Sequence, residues 1–219
     1  MNVAIDGPAG AGKSTVAKGT AKELGFIYVD TGALYRGIGL YALRKGKNPA
    51  SANDVLPLLA EIKEEIRFVC GEQRVFLNGE DVSGLIRTEE VSKAASDVSA
   101  IPEVREFLLE MQKDIAAKND VIMDGRDIGT VVLPNAELKI FLTAKPEVRA
   151  KRRVAQLAEK GIAADFEEVL ADVKKRDYND SHRAAAPLKQ AEDAVLIDNT
   201  ESTLEQDIKY IKELIEKAR

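Results

Sequence analysis

The chain has 219 residues, 45% hydrophobic and 32% charged, which suits one well-cored domain with an elaboration and excludes a disordered tail protein. Lys and Arg number 32 against 37 Asp and Glu, a formal net charge of −5, so the surface is not built to neutralise nucleic-acid phosphates and any anion site has to be local. The single Cys, Cys70, and single His, His182, allow neither an internal disulfide nor a Cys/His zinc site; no apolar run reaches the length of a membrane span and no leader is evident, so the expectation is a cytoplasmic protein.

Short apolar runs alternate with longer segments of helical period, the pattern of parallel βαβ construction. Asn2–Asp6 is a predicted strand, followed by a helix over Lys13–Leu24 that stops at Gly25. Phe26–Asp30 is the second strand, and Leu34–Lys45 a helix that stops at Gly46. Ile66–Val82 breaks the alternation: near period-two hydrophobicity around Gly71-Glu72 and Asn78-Gly79 predicts an inserted antiparallel hairpin. Pro102–Lys118 follows as a helix with Val104, Leu108, Met111 and Ile115 on one stripe, then strands over Val121–Asp124 and Leu138–Leu142 and a helix from Pro146 to Gly161. A stripe through Phe166, Val169, Val173, Arg176, Asp180 and Arg183 changes from core-like to charged. Val195–Asp198 is the fifth strand, and a capping box of Ser202 and Glu205 opens a last helix carrying Leu204, Ile208, Ile211 and Ile215. The sum is a doubly wound α/β fold with a central five-stranded parallel sheet and helices on both faces. Four strands end in or run into an acidic residue, so polar chemistry is expected at the carboxyl ends.

Gly7, Pro8, Ala9, Gly10, Ala11, Gly12, Lys13 and Ser14 match G-x-x-x-x-G-K-[ST] between a strand and a helix. Small residues let successive backbone N–H groups wrap a phosphate at a helix N-terminus, Lys13 reaches the β- and γ-phosphates from an exposed loop, and the Ser14 hydroxyl ligates Mg²⁺. A nucleoside triphosphate is the expected ligand. No N-K-x-D motif is present, and the D-x-x-G match at Asp81–Gly84 falls in the hairpin, which speaks against a guanine-reading switch. Transfer of the γ-phosphoryl group to a small acceptor is the favoured class, with a kinase for another metabolite and a slowly hydrolysing P-loop switch as rivals.

Three arginine groups bear on the acceptor. Arg149, Arg152 and Arg153 share one helical face, where a polyphosphate would relieve their repulsion and a solvated basic face is the alternative. Arg176, Asp180 and Arg183 project from the end of the core stripe, either into a cleft or as a surface ion pair. Asp124-Gly125-Arg126-Asp127 ends a strand, where Asp124 would hold Mg²⁺ through water as the partner of Ser14, or serve only as a helix cap.

The runs GPAGAGKST, DTGALYR, GEDVSGLIRTEEVSKAAS, PEVRE, DGRDIGT and RDYNDSHRAAAPL together resemble the bacterial cytidylate kinases, P-loop nucleoside monophosphate kinases, over essentially the whole chain. The resemblance implies phosphoryl transfer from ATP, with Mg²⁺, to CMP and dCMP. It places ATP phosphates on Gly7 through Thr15. It places the monophosphate nucleotide at Thr31, Tyr35 and Arg36, with Arg36 on its phosphate; Thr31 is a serine in some relatives and keeps the hydroxyl. Ser96, Arg105, Arg126 and Asp127 match positions around the cytosine ring, and Arg176, Asp180 and Arg183 those that reach ribose and phosphates. Lys13, Arg126, Arg152, Arg153 and Arg183 are the implied catalytic cations, and His182 an exposed residue without a role.

The implied organisation is one kinase domain: a core over 1–30, 106–145 and 186–219, a monophosphate-binding region with its hairpin insert over 31–105, and a short lid with the following helix over 146–185. The partners are small molecules only, and the protein is expected to be a monomer. Ser96 and Asp127 beside Arg105 and Arg126 supply the acceptor and donors that cytosine needs. Uracil reverses the pattern at positions 3 and 4, so discrimination against UMP is expected.

Overall fold

In a computed structural model that describes residues 1–159 and 161–219, the apolar runs form strands and the amphipathic stretches form helices. The chain runs β1 (Asn2–Asp6), α1 (Lys13–Leu24), β2 (Ile27–Asp30), α2 (Thr31–Arg44), α3 (Ala52–Leu59), β3 (Glu64–Val69), β4 (Glu72–Leu77), β5 (Glu80–Asp81), α4 (Glu89–Val98), α5 (Pro102–Lys118), β6 (Val121–Gly125), β7 (Leu138–Thr143), α6 (Pro146–Glu159), α7 (Phe166–His182), β8 (Val195–Asp198) and α8 (Leu204–Ala218). The predicted five-stranded sheet has the order β2-β6-β1-β7-β8, and the predicted insert is a three-stranded antiparallel sheet, β3-β4-β5. No helix among the described residues is long and apolar enough to cross a membrane.

Two compact units divide the chain. The first comprises Met1–Phe26 and Asp120–Arg219. In it β1 pairs in parallel with β6 on one side and β7 on the other, so the strand order reverses at β1, the position in an open α/β sheet whose carboxyl end commonly carries a ligand. The register sets Ile5 opposite Asp124 and Asp6 opposite Gly125, which brings the acids of two strands to one edge. Val3, Ala4, Ile5, Ile122, Met123 and Leu142 are fully buried, as a sheet covered on both faces requires. Beyond β6 the backbone widens into a π-turn over Ile128–Val132, where Val132 N–H reaches Asp127 O at 3.2 Å and Leu133 N–H reaches Ile128 O at 2.7 Å.

The second unit, Ile27–Asn119, has its own core: Leu34 and Ile38 of α2, Val55 of α3, Val75 and Leu77 of β4, Val98 of α4, and Val104 and Leu108 of α5.

Several boundaries differ from the sequence expectation for local reasons. Helix α2 starts at Thr31, directly after the strand, because the Asp30 carboxylate accepts the Ala33 N–H at 3.0 Å and caps it. The capping box of α8 is Thr203 with Gln206, one residue beyond the predicted Ser202 and Glu205, since the Ser202 hydroxyl instead donates to Asp207. Helix α6 is described over Pro146–Glu159; residue 160, inside its expected span, lies outside the described residues. Two helices were not expected: α3 is short with Pro57 inside it, and α4 buries a stripe of Val91, Ala94, Ala95 and Val98 whose residues are too small to stand out among its polar neighbours.

Candidate active site

The loop between β1 and α1 folds as its glycines dictate. Gly7, Gly10 and Gly12 have φ of 147°, 77° and 88°, and a Cβ on Gly7 would collide with the backbone carbonyl of Leu142 on β7. Gly12 stands at the N-cap of α1, so the free amide groups of that helix face the loop. Lys13 curls back to donate from Nζ to Pro8 O at 2.9 Å. It is buried, a correction to the exposed lysine expected from sequence, because the loop wraps its stem.

Burial controls the charges here. It is the main reason the Lys13 ammonium falls to about 7, reinforced by the Arg126 cation and opposed by Asp124 and Asp6. Asp6 is pushed up to about 6, chiefly by burial, although its carboxylate accepts the N–H groups of Gly129 and Ile128 at 2.7 and 2.8 Å. Ser14 Oγ donates to Asp124 Oδ2 at 2.8 Å. A hydroxyl and a carboxylate so joined form a hard-oxygen pair, which fits Mg²⁺ rather than a softer metal.

At the charged end of the α7 stripe Asp180 is buried and Arg176 and Arg183 are partly buried, so the group is not a surface ion pair. Arg126 Nε donates to Asp180 Oδ2 at 2.9 Å, and the Asp180 side chain is 8% exposed. Burial opposes the Asp180 charge, but Arg126, Arg176 and Arg183 outweigh it and hold its carboxyl below the usual range. The Arg126 charge, likewise opposed by burial, is held by Asp180, Asp124 and Asp6. Arg183 lies 3.5 Å from Asp127 and donates from Nε and Nη2 to Ala186 O. Lys13, Ser14, Asp124, Arg126, Asp127, Asp180 and Arg183 are thus tied by contacts within the first unit. His182 is exposed, as expected, with its ring stacked on Tyr178.

The basic face of α6 is resolved differently from the expectation. Arg149 is buried and bidentate on Asp177, at 2.9 and 2.6 Å, so its charge is met within the fold rather than by a ligand. Arg152 donates to Asn199 Oδ1 at 3.1 Å and to Asn199 O at 2.8 Å, and Arg153 Nη1 approaches Gln156 Oε1 at 3.5 Å. Asp177, Asn199 and Asp6 escaped sequence reasoning; only Asp6, the acid ending the first strand, left a signal.

In the second unit, Asp30 is a hub. Arg36 Nη2 donates to its Oδ2 at 2.7 Å, Arg87 lies 3.8 Å away, and Gln73 brackets its backbone, accepting the Asp30 N–H at 2.8 Å and donating to Asp30 O at 3.1 Å. Thr31, in the first turn of α2, is buried beside it in sequence. One turn on, the Arg105 guanidinium lies 5.4 Å from the Tyr35 ring centroid and donates to Ser99 O at 3.2 Å, while the Ser99 hydroxyl donates to Ser96 O at 2.9 Å. Thr31, Tyr35 and Arg36 therefore occupy one helical end, with Arg105 lying over Tyr35 and Ser96 linked to Arg105 through Ser99.

The fold has counterparts of low identity: a protein from Eubacterium ventriosum aligns with a TM-score of 0.55 at 13% identity, covering 99% of this chain and 98% of that one. Sequence relatives are much nearer. A cytidylate kinase of Caldicellulosiruptor bescii is 52% identical over 217 residues, 99% of this chain and 96% of its own. One of Lactobacillus gasseri is 49% identical over 217 residues, covering 99% and 94%. The family model described as cytidylate kinase matches residues 3–217. With a complete phosphate loop and half-identical relatives along almost its full length, the chain belongs to the cytidylate kinase family.

Proposed function

We propose that the chain transfers the γ-phosphoryl group of ATP to CMP and dCMP, giving ADP with CDP or dCDP, in pyrimidine nucleotide metabolism. A phosphate oxygen of the acceptor forms a bond to the γ-phosphorus, the bond from that phosphorus to the β,γ-bridging oxygen breaks, and its electron pair leaves with ADP. The acceptor is already an anion, so no general base is needed and catalysis is positioning plus charge stabilisation. The observation that carries the reading is the Ser14–Asp124 contact at the head of a phosphate loop whose lysine is buried and donates back into the loop at Pro8 O.

Gly7 through Thr15 bind the triphosphate of ATP. Ser14 directly, and Asp124 through water, would hold Mg²⁺, which would supply positive charge against the triphosphate. Lys13, Arg126, Arg152, Arg153 and Arg183 are the cations assigned to the transferring and acceptor phosphates. Asn199 holds Arg152, so its guanidinium starts from a fixed position. Thr31, Tyr35 and Arg36 take the monophosphate, Ser96, Arg105, Arg126 and Asp127 the cytosine, and Arg176, Asp180 and Arg183 the ribose and phosphate. Asp30 now occupies Arg36 in an ion pair that an incoming phosphate has to compete with. Residues 31–105 form the monophosphate-binding region, 146–185 the lid and following helix, and 1–30, 106–145 and 186–219 the core. The protein acts as a cytoplasmic monomer on small molecules alone.

The test is ADP formation from Mg·ATP with and without each member of a panel of nucleoside monophosphates. Turnover that depends on CMP or dCMP supports the reading; ADP release independent of any acceptor supports the switch.

A further inference from the structure

The phosphate loop is gripped from behind. A trans peptide sets its C=O and N–H on opposite sides, so a carbonyl held on the outer face of a loop turns the next residue's amide inward. Arg149 Nη1 donates to Ala9 O at 3.0 Å while its Nε donates to Ala144 O at 2.8 Å and its fork closes on Asp177. Asn199 Nδ2 donates to Ala11 O at 2.8 Å and also to Asp207 Oδ2 at 3.0 Å. The loop lies directly on this support: a Cβ on Gly10 would come within 3.3 Å of the Arg149 Cβ. Both donors are buried and each is backed by a carboxylate, Asp177 from α7 and Asp207 from α8.

We propose that Asp177 and Asp207 are positioning residues for the triphosphate: acting through Arg149 and Asn199, they fix the Ala9–Gly10 and Ala11–Gly12 peptide planes so that the Gly10 and Gly12 amides face the phosphates before ATP arrives. The proposal rests on the ATP-site reading above. Neither acid touches the nucleotide. Their role is to remove the reorganisation that an unpinned, glycine-rich loop undergoes on binding, which lowers affinity for the ligand that uses those amides and for no other.

Asp177→Asn keeps the size of the side chain but withdraws the bidentate charge from Arg149. Calorimetric titration of the full chain with Mg·ATP alone, and separately with CMP alone, reads the effect, with the Gly10 amide resonance of the ligand-free protein as a second reporter. The expected result is about a tenfold loss of Mg·ATP affinity, the size of one hydrogen bond's net contribution, with CMP affinity unchanged and the Gly10 resonance moved. Unchanged Mg·ATP affinity overturns the proposal, and so does an equal loss for both ligands, which marks the pair as structural. If Asp177→Asn fails to fold, Arg149→Lys, which keeps the charge but not the fork, is read the same way; failure of both to fold also overturns it. A wild-type chain that binds no Mg·ATP instead overturns the ATP-site reading, a result distinct from each of these.

Discussion

The Ser14 hydroxyl and the Asp124 carboxylate meet at 2.8 Å across 110 residues of sequence, joining the first turn of α1 to the end of β6. The parallel register of β1 and β6 brings them together, because it sets Asp124 level with Ile5, two residues before the loop begins.

If that pair holds Mg²⁺, Asp124→Asn lowers kcat by about a hundredfold or more, as expected when a metal's several kcal/mol of charge stabilisation is impaired, and excess Mg²⁺ restores part of it. Titrating activity against Mg²⁺ checks this. A variant with the wild-type Mg²⁺ dependence removes Asp124 from the metal site.

Lys13, at about 7, is largely neutral at pH 8 in the ligand-free protein and charged once a triphosphate lies against it. ATP binding at pH 8 therefore takes up protons, which calorimetry in two buffers of different ionisation enthalpy detects. The same shift sets a stability trend. The unfolded lysine titrates near 10.5 and the folded one near 7, so the unfolded chain binds more protons between them and this group's contribution to stability rises with pH across that window. Lys13→Met should abolish transfer yet be more stable than wild type at pH 7, the gap closing toward pH 10; a loss of stability at pH 7 would contradict the burial argument.

Asp180 is buried and paired with the part-buried Arg126, which Asp124 and Asp6 also face, so Asp180→Ala should cost about 1–3 kcal/mol of stability through the lost charged hydrogen bond. Asp180→Asn is the milder probe, expected to lose about 1.5–3 kcal/mol of CMP efficiency for each charged hydrogen bond to ribose. Unequal losses for CMP and dCMP point to the 2′-hydroxyl, equal losses to the 3′-hydroxyl. Because the folded Asp180 pKa lies below its unfolded value, its stabilisation is present above about pH 4 and fades as pH falls through the folded value, a fade the Asn variant lacks. Unchanged kinetics with both acceptors would take Asp180 out of the site.

Glu64 is a cost within the second unit. Its carboxyl is buried against Gly37 of α2 with no hydrogen-bond partner among the described residues, and burial raises its pKa well above the usual value. The folded group stays protonated where the unfolded one ionises, so stability is lost as pH rises from about 4.5 toward the folded pKa. Glu64→Met should stabilise the protein at pH 8 by roughly 1–3 kcal/mol, with the gain shrinking near pH 4. Equal melting temperatures at both pH values would mean that the carboxyl is satisfied.

The sheet was legible because each of its strands is a short apolar run between helices of clear period. The phosphate loop was legible because glycine, lysine and serine at fixed spacing have one dominant use. What sequence could not show is pairing at long range. Arg176 and Asp180 stand one turn apart, which left a cleft and a local ion pair both open, and the Asp180 hydrogen bond to Arg126 of another element had no signal in that spacing. Arg149 looked like one of three ligand-seeking cations because Asp177, 28 residues away, carries no periodic signal. The hairpin showed through its period of two, but the return of Gln73 to the Asp30 backbone did not, since a single amide on a strand announces no partner.

The central claim is transfer to cytidine monophosphates, and following the label from γ-labelled ATP tests it most directly. With Mg²⁺ and equal concentrations of CMP, dCMP, UMP and AMP, label should accumulate in CDP and dCDP, with little in UDP because uracil leaves buried donors and acceptors unpaired. Label released mainly as inorganic phosphate, or carried mainly into UDP or ADP, would contradict the account.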